Sequence, residues 1–374
     1  MTMGTAVPAE PHSPQMQPSR MRRLVSRALR RPELGALGAT IFVFAAFGLT
    51  AGGSGLFSVL GITNFLQVSA QLGILAAAVA LLMIGGEFDL SLGSMIGFSG
   101  IVIGLCVTEF GLPLWVGILA AFAAAVLVGT ANGILVMRTN LPSFIVTLAG
   151  YFVLRGLSLA VTRTLTGRTQ IPYITKGADE PFVIWLFGGK FATGLFQWLG
   201  NIGVIPLRPD GVPIVQGLPM SVAWWLAITA LATWVLVRTR FGNWIFAVGG
   251  DLQAARNVGV PVARVKILLF IATACSAALF ATIQVLEAGS ADTLRGTQKE
   301  FEAVIAAVIG GNLLSGGYGS AIGAMFGSLV FGTVEMGIFY TGIDSDWFMV
   351  FLGLMVLIAV LFNNYVRRKA TEGR

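Results

Sequence analysis

Ten apolar stretches, separated by polar or glycine-rich joints, follow one another along the chain: 34–52, 68–84, 93–108, 112–137, 142–162, 220–237, 267–287, 303–315, 319–340 and 347–363. A run of about 20 apolar residues crosses the hydrocarbon of a bilayer, and an isolated span must satisfy its backbone polar groups internally, so it folds as a helix. Barrel strands would show shorter, alternating patterns. Composition agrees: of 374 residues, 56% are hydrophobic and 11% charged, against about a quarter charged in a soluble domain. The expected fold is all-α, a polytopic transmembrane bundle of about ten helices with a candidate internal repeat. The eighth stretch, 303–315, is short enough to be re-entrant.

The net charge of +7 does not call for a nucleic-acid partner, because the basic residues collect at the chain ends and in one loop. Membrane topology explains that distribution. Residues 1–33 read as a flexible basic cytoplasmic tail, rich in Pro, Ser and Met up to Ser19 and then carrying Arg20, Arg22, Arg23, Arg27, Arg30 and Arg31. Its apolar segment begins too late for a cleaved signal peptide and reads as a signal anchor. With that end inside, ten spans put Arg138, the loop 238–266 and the tail 364–374, with Arg367, Arg368 and Lys369, in the cytoplasm. Most of the 24 Lys and Arg then lie inside, and an odd number of spans would strand the basic C-terminal tail outside. Glu109, Asp179, Glu180, Asp210, Glu287, Asp292, Glu300, Glu302, Asp344 and Asp346 fall in outer segments. The transmembrane domain is 34–363 and the inner (plasma) membrane of a bacterium is the expected location.

The longest connection, 163–219, lies outside on this topology and carries Trp185, Phe187, Phe191, Phe196 and Trp198. Two readings fit it: aromatic anchors at headgroup depth, or a docking surface for an extracytoplasmic partner. Glycines at small-xxx-small spacing, Gly319, Gly323 and Gly327 and also Gly93, Gly97, Gly100 and Gly104, let helix backbones pack closely. A short echo joins the two sets, since Gly85-Gly86 precedes Gly93-Ser94-Met95-Ile96-Gly97 as Gly310-Gly311 precedes Gly319-Ser320-Ala321-Ile322-Gly323. Transporters are often built from repeats.

Three segments carry the polar chemistry. Gly85 to Ser94 sets Glu87 and Asp89 between apolar runs; intramembrane acids usually serve function, but Asp89 or Ser91 can equally cap the next helix. In the loop Phe241 to Lys266, Asp251 caps a helix of about two turns that Gly259 and Pro261 end. That surface helix is either an interfacial connector or a lever moved from the cytoplasm. Glu302 to Ser320 is apolar and then abruptly glycine-rich, fit either for backbone lining a cavity or for close helix approach. Glu335 is the one carboxylate well inside an expected span, facing the pathway or snorkelling outward.

Other chemistry finds no support. Gly188-Gly189-Lys190 is followed by Phe191, and no phosphate loop exists, so the chain is not expected to hydrolyse ATP or to bind a cofactor. Cys106 and Cys275 lie in apolar runs and His12 in the tail, which supports no disulfide framework, metal site or triad.

At these motifs the chain resembles the permease family of ribose, xylose and arabinose ABC importers. Gly86-Glu87-Phe88-Asp89-Leu90-Ser91-Leu92-Gly93-Ser94 looks like that family's G-x-x-D-L-S-x-G-S signature, and Leu141 to Leu148 like its P-x-F-I-x-T-L segment. The resemblance continues through Gly249 to Lys266 and most strongly through Glu302 to Gly327, and spans nearly everything from Asn64 to Leu361. The Arg-rich tail and the long segment 163–219 exceed the compact ribose type and look more like xylose-type or polyol-type members. The resemblance implies a permease subunit for a monosaccharide or similar polar solute, paired with a second permease copy and two ATPase subunits that hold the ATP and Mg, and fed by an extracytoplasmic binding protein. Branched-chain amino-acid and nucleoside permeases share the broad fold. The helix bearing Asp251, Gln253, Ala254, Ala255, Arg256, Gly259 and Val260 would be the coupling helix docking into the ATPase. Glu87, Asp89, Ser91, Asn132, Ser143, Thr147 and Asn312 are the polar positions expected near the path or its gates, and Gly93, Gly97, Gly319, Gly323 and Gly327 those of helix packing.

Overall fold

The computed structural model describes residues 32–372 apart from 177–178 and 345. Most of the basic tail 1–33 and the last two residues of the tail 364–374 lie outside the described residues. The architecture is an all-helical polytopic membrane bundle. In order its helices are α1 (Pro32–Thr50), α2 (Val59–Ile84), α3 (Leu92–Thr108), α4 (Leu114–Thr139), α5 (Ser143–Thr166), α6 (Pro181–Gly188), α7 (Thr193–Asn201), α8 (Met220–Arg238), α9 (Arg240–Gly250), α10 (Leu252–Asn257), α11 (Val262–Ala288), α12 (Lys299–Ile309), α13 (Ala321–Thr341) and α14 (Trp347–Glu372). Two antiparallel two-residue pairs complete it: β1 (Gln170–Ile171) with β4 (Ala291–Asp292), and β2 (Lys190–Phe191) with β3 (Leu218–Pro219).

Punctuation in the sequence sets the helix ends. Pro113, Pro142, Pro219 and Pro261 precede α4, α5, α8 and α11, where a missing N–H costs nothing. Asn140 (φ 53°) ends α4 and Gly167 (φ 69°) ends α5 in left-handed geometry, the latter donating its N–H to Arg163 O at 2.9 Å.

Helix α2 is the central post. From Leu72 to Ile84 every residue is buried, because α8, α11, α12 and α13 pack around it, as a helix apolar on all sides requires. α11 in turn packs against α3 and α4. α5 stands at the rim, with Phe144, Phe152, Val153 and Leu157 exposed. The bundle has a basic end, where α4 and α8 finish at Arg138 and Arg238 and where α9 and α10 lie. At the opposite, capped end the connection between α5 and α8 forms a lid: Phe187 stacks on Trp224 at 5.4 Å, and Phe196 is buried with Ile205 and Val215. Trp185 and Trp198 remain exposed.

Each of the ten apolar stretches contains a helix, but they are not ten equal spans. Among the described residues seven helices are long and apolar enough to cross a membrane: α1, α2, α4, α5, α8, α11 and α13. α3 has 17 residues and α12 only 11, because non-helical segments replace the missing turns. After α2 the chain climbs back into the bundle. Phe88 N–H meets Ser143 Oγ at the start of α5, Leu90 N–H meets Thr147 Oγ1 one turn in, and Ser91 lies beside Gly150. Seven helical residues rise about 10 Å, so α3 begins well inside.

From the capped end a second non-helical segment, β4 followed by turns, descends along α3. A Cβ on Gly104 or Gly100 would touch Ala291, one on Gly97 would sit 2.9 Å from Thr293 O, and one on Gly93 would sit 2.6 Å from Gly296 O. The Gly93 to Gly104 stripe thus accommodates a non-helical stretch of chain, the two-residue strand β4 and the turns that follow it, where a second helix was expected. Glu300 and Glu302, expected in an outer segment, are instead 4% and 9% exposed in the first turn of α12. Their carboxylates stay inside because the descending chain places the helix start at depth. By contrast Gly323 and Gly327 of α13 lie against the backbone of Gly310 and Ala306 at the end of α12, a direct helix–helix approach.

Candidate functional site

The loop between α8 and α11 presents a capped surface helix. Asp251 Oδ1 accepts from Gln253 N–H and Ala254 N–H, both at 2.9 Å, which satisfies two of the orphan donors that begin α10. Gly259 (φ +82°) turns the chain out of it in a region that side chains rarely adopt. Gln253, Ala254, Arg256 and Gly259 are exposed, Val260 half-buried and Val258 77% exposed. Ala255, expected on the coupling face, is instead 2% exposed and anchors the helix on Val262 and Val265. The exposed face is therefore Gln253, Ala254, Arg256 and Val258.

Just before this helix, α9 ends in Gly249-Gly250, and there the three motifs meet. A Cβ on Gly249 would fall 1.7 Å from Ile84 O and 2.7 Å from Gly317 N, while Gly317 N–H already donates to Ile84 O at 2.8 Å. A Cβ on Gly316 would fall 2.8 Å from Gly249 O and 2.9 Å from Gly86 Cα. Three glycine pairs, 85–86, 249–250 and 316–317, thus meet here, and at Gly249, Gly316 and Gly317 backbone lies against backbone where no side chain fits. The surface helix is seated on this junction.

The two helix breaks at the junction share one geometry. At the end of α2, Gly86 N–H donates to Met83 O (2.9 Å) and Glu87 N–H to Leu82 O (3.1 Å); at the end of α12, Gly311 N–H donates to Val308 O (2.9 Å) and Asn312 N–H to Ala307 O (3.1 Å). Gly86 and Gly311 are both left-handed, at φ +82° and +86°. Each is a Schellman cap. The echo ends there, for Gly93 lies inside α3 whereas Gly319 precedes α13.

Of the positions expected near the path, Glu87, Asp89, Ser91, Asn132, Ser143 and Thr147 gather around residues 87–91, while Asn312 stands apart in the turn after α12. The irregular Glu87–Ser91 segment has no ladder partner, so its amides need side-chain acceptors; Ser143 and Thr147 supply them at 3.1 and 3.0 Å. Glu87 and Asp89, two apart, both meet α11. Glu87 forms a buried ion pair with Lys266. Asp89 accepts from Thr273 Oγ1 (3.1 Å), Ser91 N (2.9 Å) and Ser91 Oγ (2.5 Å), and Asn132 donates to Ser91 Oγ (3.0 Å). Ser91 occupies the N-cap position of α3, but its hydroxyl donates to Asp89 and accepts from Asn132 and makes no capping hydrogen bond. Asn312 ties its turn shut, accepting from Ser320 N–H (2.9 Å) and donating to Ala307 O (2.7 Å). All of these side chains are buried. They hold the breaks in place. Lys266 and Thr273 were legible as partners only in hindsight: seven residues apart, they share a face of α11.

Among the described residues no group of His, Cys, Asp and Glu could hold a metal ion. Glu335, half-buried on α13, keeps its Oε2 buried and without a hydrogen-bond partner.

Comparison with known proteins assigns this architecture. The family described as "Branched-chain amino acid transport system / permease component" matches residues 61–360. The chain is 30% identical to the xylose transport system permease protein of Escherichia coli (strain K12), over 89% of this chain and 92% of that one. It is also 30% identical to the fructose import permease protein of Rhizobium meliloti (87% and 83%) and to the ribose import permease protein of Escherichia coli (strain K12) (82% and 87%). A capped surface helix on a glycine junction, two broken helices and a bundle of membrane-crossing helices are thus features of a chain that belongs to the branched-chain amino acid transport system / permease component family, as a multi-pass membrane permease subunit.

Proposed function

We propose that this chain is the membrane-spanning subunit of an ABC importer that carries a monosaccharide or related polar solute across a bacterial inner membrane. The observation that carries the reading is the likeness, over more than four-fifths of the chain, to permeases named for xylose, fructose and ribose. Two copies form the pathway, two ATPase subunits bind at the basic end, and a binding protein delivers solute at the capped end. The basic end then faces the cytoplasm, in keeping with Arg138, Arg238, Arg240, Arg256 and Arg264 there. ATP and Mg belong to the ATPase, not to this chain.

The geometry supports alternating access driven through α10. ATPase closure displaces the exposed face of α10; the glycine junction passes that displacement to the ends of α2 and α12, because no soft side chains intervene to absorb it. A solute responds only through different affinities for the two states.

Reconstitution tests this. Proteoliposomes holding the chain with its ATPase and binding protein are expected to take up labelled D-xylose, D-ribose or D-fructose in an ATP-dependent manner. Uptake by the chain alone, without ATPase, would sink the reading in favour of a secondary transporter. Because the family description names branched-chain amino acids, L-leucine belongs in the same panel, and its uptake in place of the sugars would replace the substrate class.

A further inference from the structure

Halfway along α5 stands a charged group that the closed web near the basic end does not use. Arg155 lies twelve residues into the 24-residue helix, about 18 Å from its start. Its guanidinium donates to Thr293 O (2.6 Å) and Thr297 Oγ1 (3.0 Å) of the descending segment, and lies 5.5 Å from the Tyr151 ring centroid. Five N–H groups are available on arginine, so donors remain. Arg155 is also within electrostatic reach of Glu300.

Glu300 is buried at 4% exposure, and its Oε2 has no hydrogen-bond partner. That oxygen lies against Gly93 at the start of α3, where a Cβ would stand 1.8 Å from it. Thr293 Oγ1 and Ser94 Oγ, on the two facing segments, are buried at 1% each and likewise unpartnered. Buried polar atoms are nearly always paired, and three orphans on facing segments mark a place that a hydrogen-bonding guest completes. The surface beside them is open, with Thr297 and Gln298 exposed and Phe301 53% exposed. Irregular backbone at mid-height is not tolerated against lipid, only against protein or in a water-filled cavity.

We propose that Arg155, Thr297 and Glu300 form a mid-membrane subsite for a hydroxyl of a neutral polyhydroxylated solute. A hydroxyl is a donor and an acceptor at once: it donates to the Glu300 carboxylate and accepts from the free guanidinium N–H groups, while Tyr151 offers a ring face to the C–H side of a sugar. The half-helix α3 begins at this point and favours negative charge there, which holds the carboxylate without a protein donor. The proposal rests on the reading of the chain as a sugar permease and adds the residues that meet the cargo.

The complete importer, reconstituted with its ATPase and binding protein, supplies the test, with labelled D-xylose, D-ribose and D-fructose as probes. Glu300→Gln and Arg155→Gln are each expected to lower initial uptake about tenfold and to change the ranking among the three sugars. ATP hydrolysis stimulated by the loaded binding protein should stay within about twofold, since neither residue touches the glycine junction. Thr297→Cys, in a chain with Cys106 and Cys275 replaced by Ala, adds a readout that needs no turnover: saturating sugar should slow its labelling by a charged methanethiosulfonate. Unchanged uptake together with labelling indifferent to sugar overturns the subsite. So does parallel loss of uptake and ATP hydrolysis, which marks a contact between copies or a structural role. A wild-type importer that moves none of the three sugars overturns the reading on which the subsite rests, and is seen before any variant is made.

Discussion

Two polar regions of this bundle differ in one respect that separates holding from binding. Around Glu87–Ser91 the polar groups close on one another: Lys266 answers Glu87, and Asp89 accepts three hydrogen bonds. Around Arg155 and Glu300 they do not, and a carboxylate oxygen and two hydroxyls stay open. A satisfied web fixes the shape of a break. An unsatisfied one leaves donors and acceptors that the proposed guest would use.

The sharpest way to break this comparison is to unpair the closed region. Lys266→Met leaves Glu87 buried without its counter-charge and is expected to cost about 3–5 kcal/mol, read as a lower melting temperature of the purified protein in detergent. Adding Glu87→Leu should recover much of that loss. The glycine junction comes next. Gly249→Val drives a side chain into Ile84 O and should cost about 1–3 kcal/mol while abolishing stimulated ATP hydrolysis; Gly250→Ala, with nothing within 4 Å of the new Cβ, should leave both measurements unchanged.

A paired experiment then sets the two regions directly against each other. Asp89→Asn puts an amide donor among three donors and is expected to destabilise by about 1–3 kcal/mol. Glu300→Gln removes an unpaired buried charge and should leave the melting temperature equal or higher, although uptake falls. Equal destabilisation by both would erase the distinction. The smallest effect belongs to the surface helix: Asp251→Ala removes its cap for about 1 kcal/mol, and Val258→Asp should weaken pull-down of the ATPase with no change in melting, because Val258 touches little of its own chain.

Much of this was legible locally. Pro142 before α5, Asn140 after α4 and Asp251 before α10 each fix a helix end through their own backbone chemistry, and each apolar run marked a helix of the bundle. The candidate site was legible only in pieces. The spacing of Gly93 and Gly97 called for a close neighbour but could not say that a run of turns, and not a helix, would be that neighbour. Ala255 looked like a contact residue and turned out to be the anchor. Arg155 gave a signal of its own, a charge in mid-span, which gained meaning only when Thr293, Thr297 and Glu300 came to it from 138 or more residues away.

The sequence by itself determined that this chain is a stack of membrane helices with breaks at Gly85-Gly86 and Gly310-Gly311, since apolar length and left-handed glycines act over a few neighbouring residues. Only the tertiary structure decided that both breaks meet Gly249-Gly250, that Glu87 is paired and that Glu300 is not. Pairing is a property of two surfaces brought together, and the packing of α2 against α11, α12 and α13 chooses which surfaces those are.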